Sequence, residues 1–402
     1  MVSVGKAWKT VWAGFGINLS LGVLYSWGVI SAALIDEYQW TVTQTQIPYM
    51  TASVVFALSM IPGGRLQDST GPRVTLIIAS ILAGLGFTLS SFAITVNNLT
   101  LFFGGIFGLA MGFGYAAPTP AAVKWFHVNH RGFISGIVVS GFGLAPVYIA
   151  PLTRMLIHQS GIRSTFIILG ILFFLTILLL SFFIHNPPQG HEPVRLQAKK
   201  TKREIQSVFD YDYPSMLRTP QFYLLWVLFF FGTFSGLLII GQMAKIGQEQ
   251  AGIENGAILV MTYAVFNFLG RISWGSISDF LGEKMTLFLI FAVQVVVYFV
   301  FHTMTEPHTL LIGKSLVGFT FGGMLTIFPV ITSQLFGLKN FGVNYGFVMT
   351  AWGIGGFLGP LFGGTVRDIT GTYQTSYTVS ALFCLAGSLL TFLIKKPGKS
   401  EL

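Results

Sequence analysis

Apolar runs of about twenty residues, separated by short polar stretches, fill this chain. The runs are continuous, not alternating, which predicts bilayer-crossing helices and not the roughly ten-residue strands of a barrel. Twelve spans fit the pattern, at 10–35, 44–63, 74–93, 99–126, 132–153, 164–186, 220–244, 255–278, 285–302, 308–336, 343–366 and 375–395. Between the sixth and seventh lies the only long polar segment, His185–Thr219, with the basic, proline-broken stretch HNPPQGHEPVRLQAKKTKREIQ. The expected organisation is an N-terminal six-helix bundle (1–186), a linker (187–219) and a C-terminal six-helix bundle (220–402). The fold class is all-α, a membrane protein whose first partner is the lipid bilayer.

The two halves repeat. Gly64-Arg65-Leu66-Gln67-Asp68-Ser69-Thr70-Gly71-Pro72-Arg73 follows span two, and Gly275-Ser276-Ile277-Ser278-Asp279-Phe280-Leu281-Gly282-Glu283-Lys284 follows span eight. Glycine, aspartate, glycine and base recur at an offset of 211 residues, and Gly114 and Pro120 return as Gly323 and Pro329 at 209. A duplicated six-span unit is what internal repeats in transporters look like. Both motifs read as loops in which the aspartate pairs with a base or caps a neighbouring helix. In span four, Gly112-Phe113-Gly114-Tyr115-Ala116-Ala117-Pro118-Thr119-Pro120 predicts an opened helix at Tyr115. Glycines in span five (Gly132, Gly136, Gly141, Gly143) and span eleven (Gly353, Gly355, Gly356, Gly359) read as sliding surfaces against the opposite half.

Composition sharpens this picture. Hydrophobic residues make up 53% and charged residues 9%, against about 25% charged in a soluble domain. The net charge of +9 sits in the loops, so it does not indicate nucleic acid. With the N-terminus placed in the cytoplasm, seventeen of the 23 Lys and Arg fall on the cytoplasmic side and five on the other, with Arg271 in the membrane. Both termini and the linker are therefore expected in the cytoplasm. No cleavable leader is expected, and the single cysteine, Cys384, can form no intramolecular disulfide. No span holds a nucleophile–base set or paired carboxylates, and His127 and His130 lack a third ligand. Neither an enzyme, a metal site nor a cofactor is expected.

One charge resists the pattern. Ile258–Gly270 carries none, and then comes Arg271. An arginine inside a spanning helix costs about 2.5–3.5 kcal/mol on insertion scales, so it must face a water-filled path or a partner. Its planar fork suits a carboxylate, and it cannot shed its proton. Asn267 lies four residues earlier on the same helix face, where its amide can orient the guanidinium but cannot titrate. Lys314, near the outer end of span ten, reads as a snorkelling side chain.

The doubled Gly-x-x-x-Asp-x-x-Gly-x-Arg/Lys motif, in register and with twelve spans, resembles the signature of the major facilitator superfamily. A narrower resemblance rests on Tyr25-Ser26-Trp27, Trp125-Phe126 with Arg131-Gly132, Met216-Leu217-Arg218-Thr219-Pro220-Gln221-Phe222 and Asn344-Tyr345-Gly346-Phe347. These look like the oxalate–formate antiporter family, which is similar to the monocarboxylate transporters. The resemblance implies two pseudo-symmetric six-helix bundles with substrate held at their interface. It implies an anion-binding arginine at Arg271 and a second cation in span eleven, at the position of Trp352. It also implies a cavity lined by Tyr115, Tyr25, Phe142, Phe321 and Leu325; Leu24 and Met349 complete the expected cage. In the monocarboxylate transporters the position of Asn267 is an aspartate assigned to proton coupling.

With Trp352 in place of the lysine, one buried cation awaits one anion, and a second carboxylate would be left unpaired. The expectation is a transporter of short monocarboxylates such as lactate or pyruvate, driven by proton symport through alternating access. The alternative is an organic-anion antiporter. A monomer in the plasma membrane is expected, with a small monocarboxylate and a proton as its partners.

Overall fold

A computed structural model describes residues 2–93, 95–188, 190–196, 209–253 and 256–397. The basic core of the linker, 197–208, lies outside the described residues. In chain order the helices are α1 (Val2–Leu21), α2 (Trp27–Tyr38), α3 (Val42–Thr70), α4 (Pro72–Ser90), α5 (Val96–Leu99), α6 (Gly108–Ala116), α7 (Pro118–Val123) and α8 (Arg131–Ser181). After the linker come α9 (Tyr213–Leu217), α10 (Pro220–Gly241), α11 (Met243–Ala251), α12 (Gly256–Leu281), α13 (Glu283–Val300), α14 (Pro307–Phe336), α15 (Phe341–Thr370) and α16 (Gln374–Leu390). A 3-10 turn, Gly22–Ser26, joins α1 to α2, and a π-helical stretch, Thr100–Phe107, joins α5 to α6.

Among the described residues, eleven segments are long and apolar enough to cross a membrane. One of them, Val128–Ser181, holds two helices joined at Gly161, whose φ of 74° only glycine adopts without strain. Counted that way, the spans number the twelve of the sequence pattern. Their outward faces are apolar. Trp12 is 57% exposed, Phe299 67% and Ile369 79%, which suits lipid and not water.

Two compact units form. The first comprises residues 1–128, 137–200 and 338–347, and the second 129–136, 201–337 and 348–402. In the first unit Phe87 gathers Phe103, Phe107 and Phe173 at ring separations of 5.6, 4.6 and 5.2 Å. In the second, Phe229 stacks on Phe328 at 4.1 Å and Phe231 on Phe383 at 4.7 Å. Some helix N-termini are capped by side chains that accept orphan backbone N–H groups. Thr41 and Gln44 form a reciprocal capping box on α3, and Thr219 caps α10.

The repeated motif is not a pair of loops. Gly64–Thr70 continues α3 and Gly275–Leu281 continues α12. Only Gly71 and Gly282 turn the chain, with φ of 90° and 85°. The reason is that neither stretch contains a helix breaker before its second glycine. The helical extension carries each aspartate to another helix's first turn. Asp68 accepts from the N–H groups of Gly342 and Val343 at 3.0 and 2.9 Å, at the start of α15. Asp279 accepts from Gly132 and Phe133, each at 2.9 Å, at the start of α8. Each carboxylate satisfies two donors and complements a helix dipole. Asp279→Ala is expected to lower thermal stability by about 1–3 kcal/mol per orphaned donor, with Asp279→Asn recovering part. A melting curve in detergent unchanged from wild type would count against the cap.

The glycines divide differently from the sliding-surface expectation. Gly136 abuts the Arg271 carbonyl, and Gly132 abuts Gly275. Gly141 instead packs on Phe15 of α1, while Gly355 and Gly359 pack on Thr233 and Phe234 of α10. All five contacts lie inside one compact unit or the other, where a Cβ-free face is what lets two backbones touch.

Candidate functional site

In the second unit the site is built on α12. Its sequence places Tyr263, Asn267 and Arg271 at i, i+4 and i+8, so all three share one face. That face meets α14, where glycines allow close approach: Gly318 lies against Tyr263, and Gly322 against the Asn267 carbonyl and the Arg271 N–H. Arg271 is 0% exposed and is among the largest fully buried side chains. Its Nε donates to Asn267 Oδ1 at 2.9 Å. The Asn267 amide in turn donates to the Gly318 carbonyl at 3.3 Å and to the Tyr263 hydroxyl at 3.5 Å. The guanidinium is thus aimed by a neutral amide that is itself fixed from α14. Asn267 is neutral, so this bond sets direction without cancelling the charge.

Asp279, the one carboxylate on α12, lies eight residues beyond Arg271, about 12 Å along the axis. Its oxygens serve the start of α8. Trp274, one turn beyond Arg271, is buried with its ring 5.6 Å from Phe319 and over Gly323. Its Nε1 has no hydrogen-bond partner among the described residues.

The remaining residues of this unit are all buried: Phe321 and Leu325 on α14, Met349 and Trp352 on α15. Phe321 lies against Gly236 of α10, so one face of its ring is spent on helix packing. Thr350, next to Met349, accepts from Trp226 Nε1 at 2.9 Å, which ties α15 to α10.

In the first unit the aromatic residues converge. Leu24 and Tyr25 sit in the 3-10 turn that breaks α1 from α2. Tyr115 sits in the last turn of α6, and α7 starts at Pro118 straight after Ala117, so the helix is interrupted there while the backbone of Ala117 keeps helical angles. Phe142 on α8 is the hub, edge-on to Tyr25 at 5.2 Å and to Tyr115 at 5.6 Å. Phe56 of α3 joins Tyr115 at 5.5 Å and Phe142 at 6.0 Å. Sequence reasoning missed Phe56, because one phenylalanine among 39 carries no signal. It also missed Tyr263, although the four-residue spacing before Asn267 could have revealed it.

Lys314 corrects an expectation. It does not snorkel: it is 0% exposed, and its Nζ donates to the Met243 carbonyl of α11 at 2.5 Å. The α11 helix packs against the N-terminal part of α14 and offers a backbone acceptor there.

Known proteins align with this fold along nearly the whole chain. A family model described as Major Facilitator Superfamily matches residues 13–304 and 245–402. The chain is 28% identical over 383 residues to the oxalate:formate antiporter of Oxalobacter formigenes, covering 94% of this chain and 89% of that one. It is 23% identical over 435 residues to monocarboxylate transporter 1 of Homo sapiens, covering 97% and 85%. Among solved structures, the proton:xylose symporter XylE superposes with a TM-score of 0.77 at 13% identity, covering 98% and 96%. The E. coli fucose:proton symporter FucP superposes with 0.69 at 15%, covering 95% and 98%. At such identities the superpositions show the fold alone.

Proposed function

The chain belongs to the major facilitator superfamily, and from that premise we propose that it is a proton-coupled transporter of short monocarboxylates of the lactate and pyruvate type. As a member it is an integral, multi-pass membrane transporter. The observation that carries the substrate reading is Arg271, a wholly buried cation in a spanning helix whose orientation is set by a neutral amide. A carboxylate is the ligand whose two oxygens match that fork and cancel its charge. Asn267 is the orienter and Tyr115 the polar contact for the carboxylate or a 2-hydroxyl. Leu24, Tyr25, Phe142, Phe321, Leu325, Met349 and Trp352 are the residues this reading assigns to the cage around the acid. The protein works as a monomer in the plasma membrane, both termini cytoplasmic. It moves one acid per cycle by alternating access.

Exchange of organic anions is the second reading, favoured by the 28% identity to an oxalate:formate antiporter. Radiolabelled lactate uptake into proteoliposomes separates the two. Accumulation in empty vesicles driven by an inward proton gradient supports symport. Uptake only into vesicles loaded with oxalate, indifferent to the gradient, overturns it in favour of exchange.

Asn267→Asp tests the orienter. At neutral pH the new carboxylate is ionised beside the guanidinium and competes with the substrate. Uptake at pH 7 is expected to fall about tenfold, roughly 1.4 kcal/mol. Asn267→Ala removes the orienter without adding a charge, and its uptake should fall by a smaller factor. Wild-type uptake in the aspartate variant would remove Asn267 from the site.

A further inference from the structure

We propose that Lys314 carries the proton that accompanies the carboxylate. The inference rests on the proton-linked reading above. Asn267 cannot titrate, so the coupled proton needs another group. The ionisable groups of the described spans are mostly committed elsewhere. Arg271 keeps its proton. Asp68 and Asp279 each hold two backbone N–H groups at a helix start. Glu283, at the first residue of α13, accepts from Gln334. Arg367 of α15 pairs with Glu249 of α11 at 2.6 Å, both about a third exposed.

Lys314 differs from all of these. It lies seven residues into α14, about 10 Å along the axis from Pro307, and is 0% exposed. Among the described residues its one hydrogen bond is to the Met243 carbonyl, and no carboxylate pairs with it. Gly247 of α11 faces the amine, and Leu259 of α12 packs on the same glycine. The titratable groups on the surrounding elements do not serve as its counter-ion. On α11, Lys245 is exposed and Glu249 is held by Arg367. On α12, Tyr263 accepts from Asn267. Tyr298 of α13 is buried, the only titratable residue of α10, Tyr223, is exposed near its far end, and His308 on α14 itself is exposed. Tyr373 and Tyr377 donate to Gln242 and Gln250.

A neutral amine suits this setting, since a single carbonyl is enough to hold it. An ammonium does not: it brings three donors and a full charge into an apolar site with one acceptor. Protonation and burial therefore oppose each other. When water reaches Lys314 from one side, the amine takes a proton from it and becomes R–NH3+. A carboxylate arriving at Arg271 adds one negative charge as the proton adds one positive, so the loaded carrier has the same net charge as the empty one and can close. On the other side water takes the proton back and the anion leaves. The empty carrier returns with a neutral amine on Met243. Gly322, eight residues further along α14, abuts Asn267, so the amine lies about 12 Å along the axis from the level of the anion anchor. That separation fits charge compensation without direct contact.

The test compares wild type with Lys314→Met and Lys314→Arg in proteoliposomes. Two rates are read for labelled lactate: accumulation driven by an inward proton gradient, and lactate–lactate exchange at equal pH. Both variants are expected to lose gradient-driven accumulation about tenfold or more, with lactate-linked proton entry lost alongside it, while exchange stays within about threefold of wild type. Retained exchange shows that each variant is folded and still binds substrate. Gradient-driven accumulation that survives in Lys314→Met overturns the assignment. So does loss of both activities in Lys314→Met with both kept in Lys314→Arg, which a structural cation would give. A wild type that ignores the gradient fails the symport reading itself and takes this proposal with it.

Discussion

Arg271→Ala is expected to abolish saturable carboxylate uptake in a protein that still folds. Removing one member of a buried, hydrogen-bonded charge pair costs about 2–5 kcal/mol, so at the middle of that range uptake falls by more than a hundredfold. Folding is spared for identifiable reasons. Alanine is the best helix former, and the substitution removes an expensive charge from a spanning segment. Asn267 loses one acceptor role but keeps its bond to the Gly318 carbonyl. The contact of Gly136 with residue 271 is to the backbone carbonyl and survives the change. Arg271→Lys keeps the charge and loses the planar fork, and its uptake should fall between the two. Uptake kinetics alongside size-exclusion profiles check both points. Wild-type uptake in the alanine variant would remove the anion anchor from the site.

Trp352→Lys is expected to create oxalate transport where the parent has little. Trp352 is 2% exposed on α15, at the position where the antiporter resemblance places a second cation. With tryptophan there, a dicarboxylate would bury one anionic group without a counter-charge, which is strongly unfavourable. A lysine supplies that charge and penalises the monocarboxylate, because the new ammonium then lacks its anion. Specificity should invert: labelled oxalate uptake rises about tenfold or more, and lactate uptake falls by a similar factor. Lactate uptake unchanged, with oxalate still excluded, would place Trp352 away from the carboxylate and end the charge-counting argument.

Solvent wrote most of the fold into the chain. A span must satisfy its backbone internally and turn apolar side chains to lipid, so every span shows as a continuous apolar run. The duplication was equally legible, because the repeated glycines and aspartates keep their register at 211 residues. So was the Arg271–Asn267 pair: four residues along one helix makes neighbours whatever the rest of the protein does.

Facts that join distant parts of the chain were settled by packing alone. Asp68 reaches residues 342 and 343, and Asp279 reaches 132 and 133, only because α3 and α12 run on through stretches that read as loops. Phe56 enters the aromatic set, and Phe321 spends a face on Gly236, through helix-to-helix contacts that no local pattern encodes. Lys314 shows the difference most sharply. From the sequence it is a long side chain near a helix end, free to reach water. In the folded chain α11 lies across it, and the amine finds a carbonyl inside the protein instead. The one-dimensional pattern records the medium each segment crosses and the neighbours within a turn of helix. Which face meets which helix is a property of the assembled bundle, where contacts link residues tens to hundreds of positions apart.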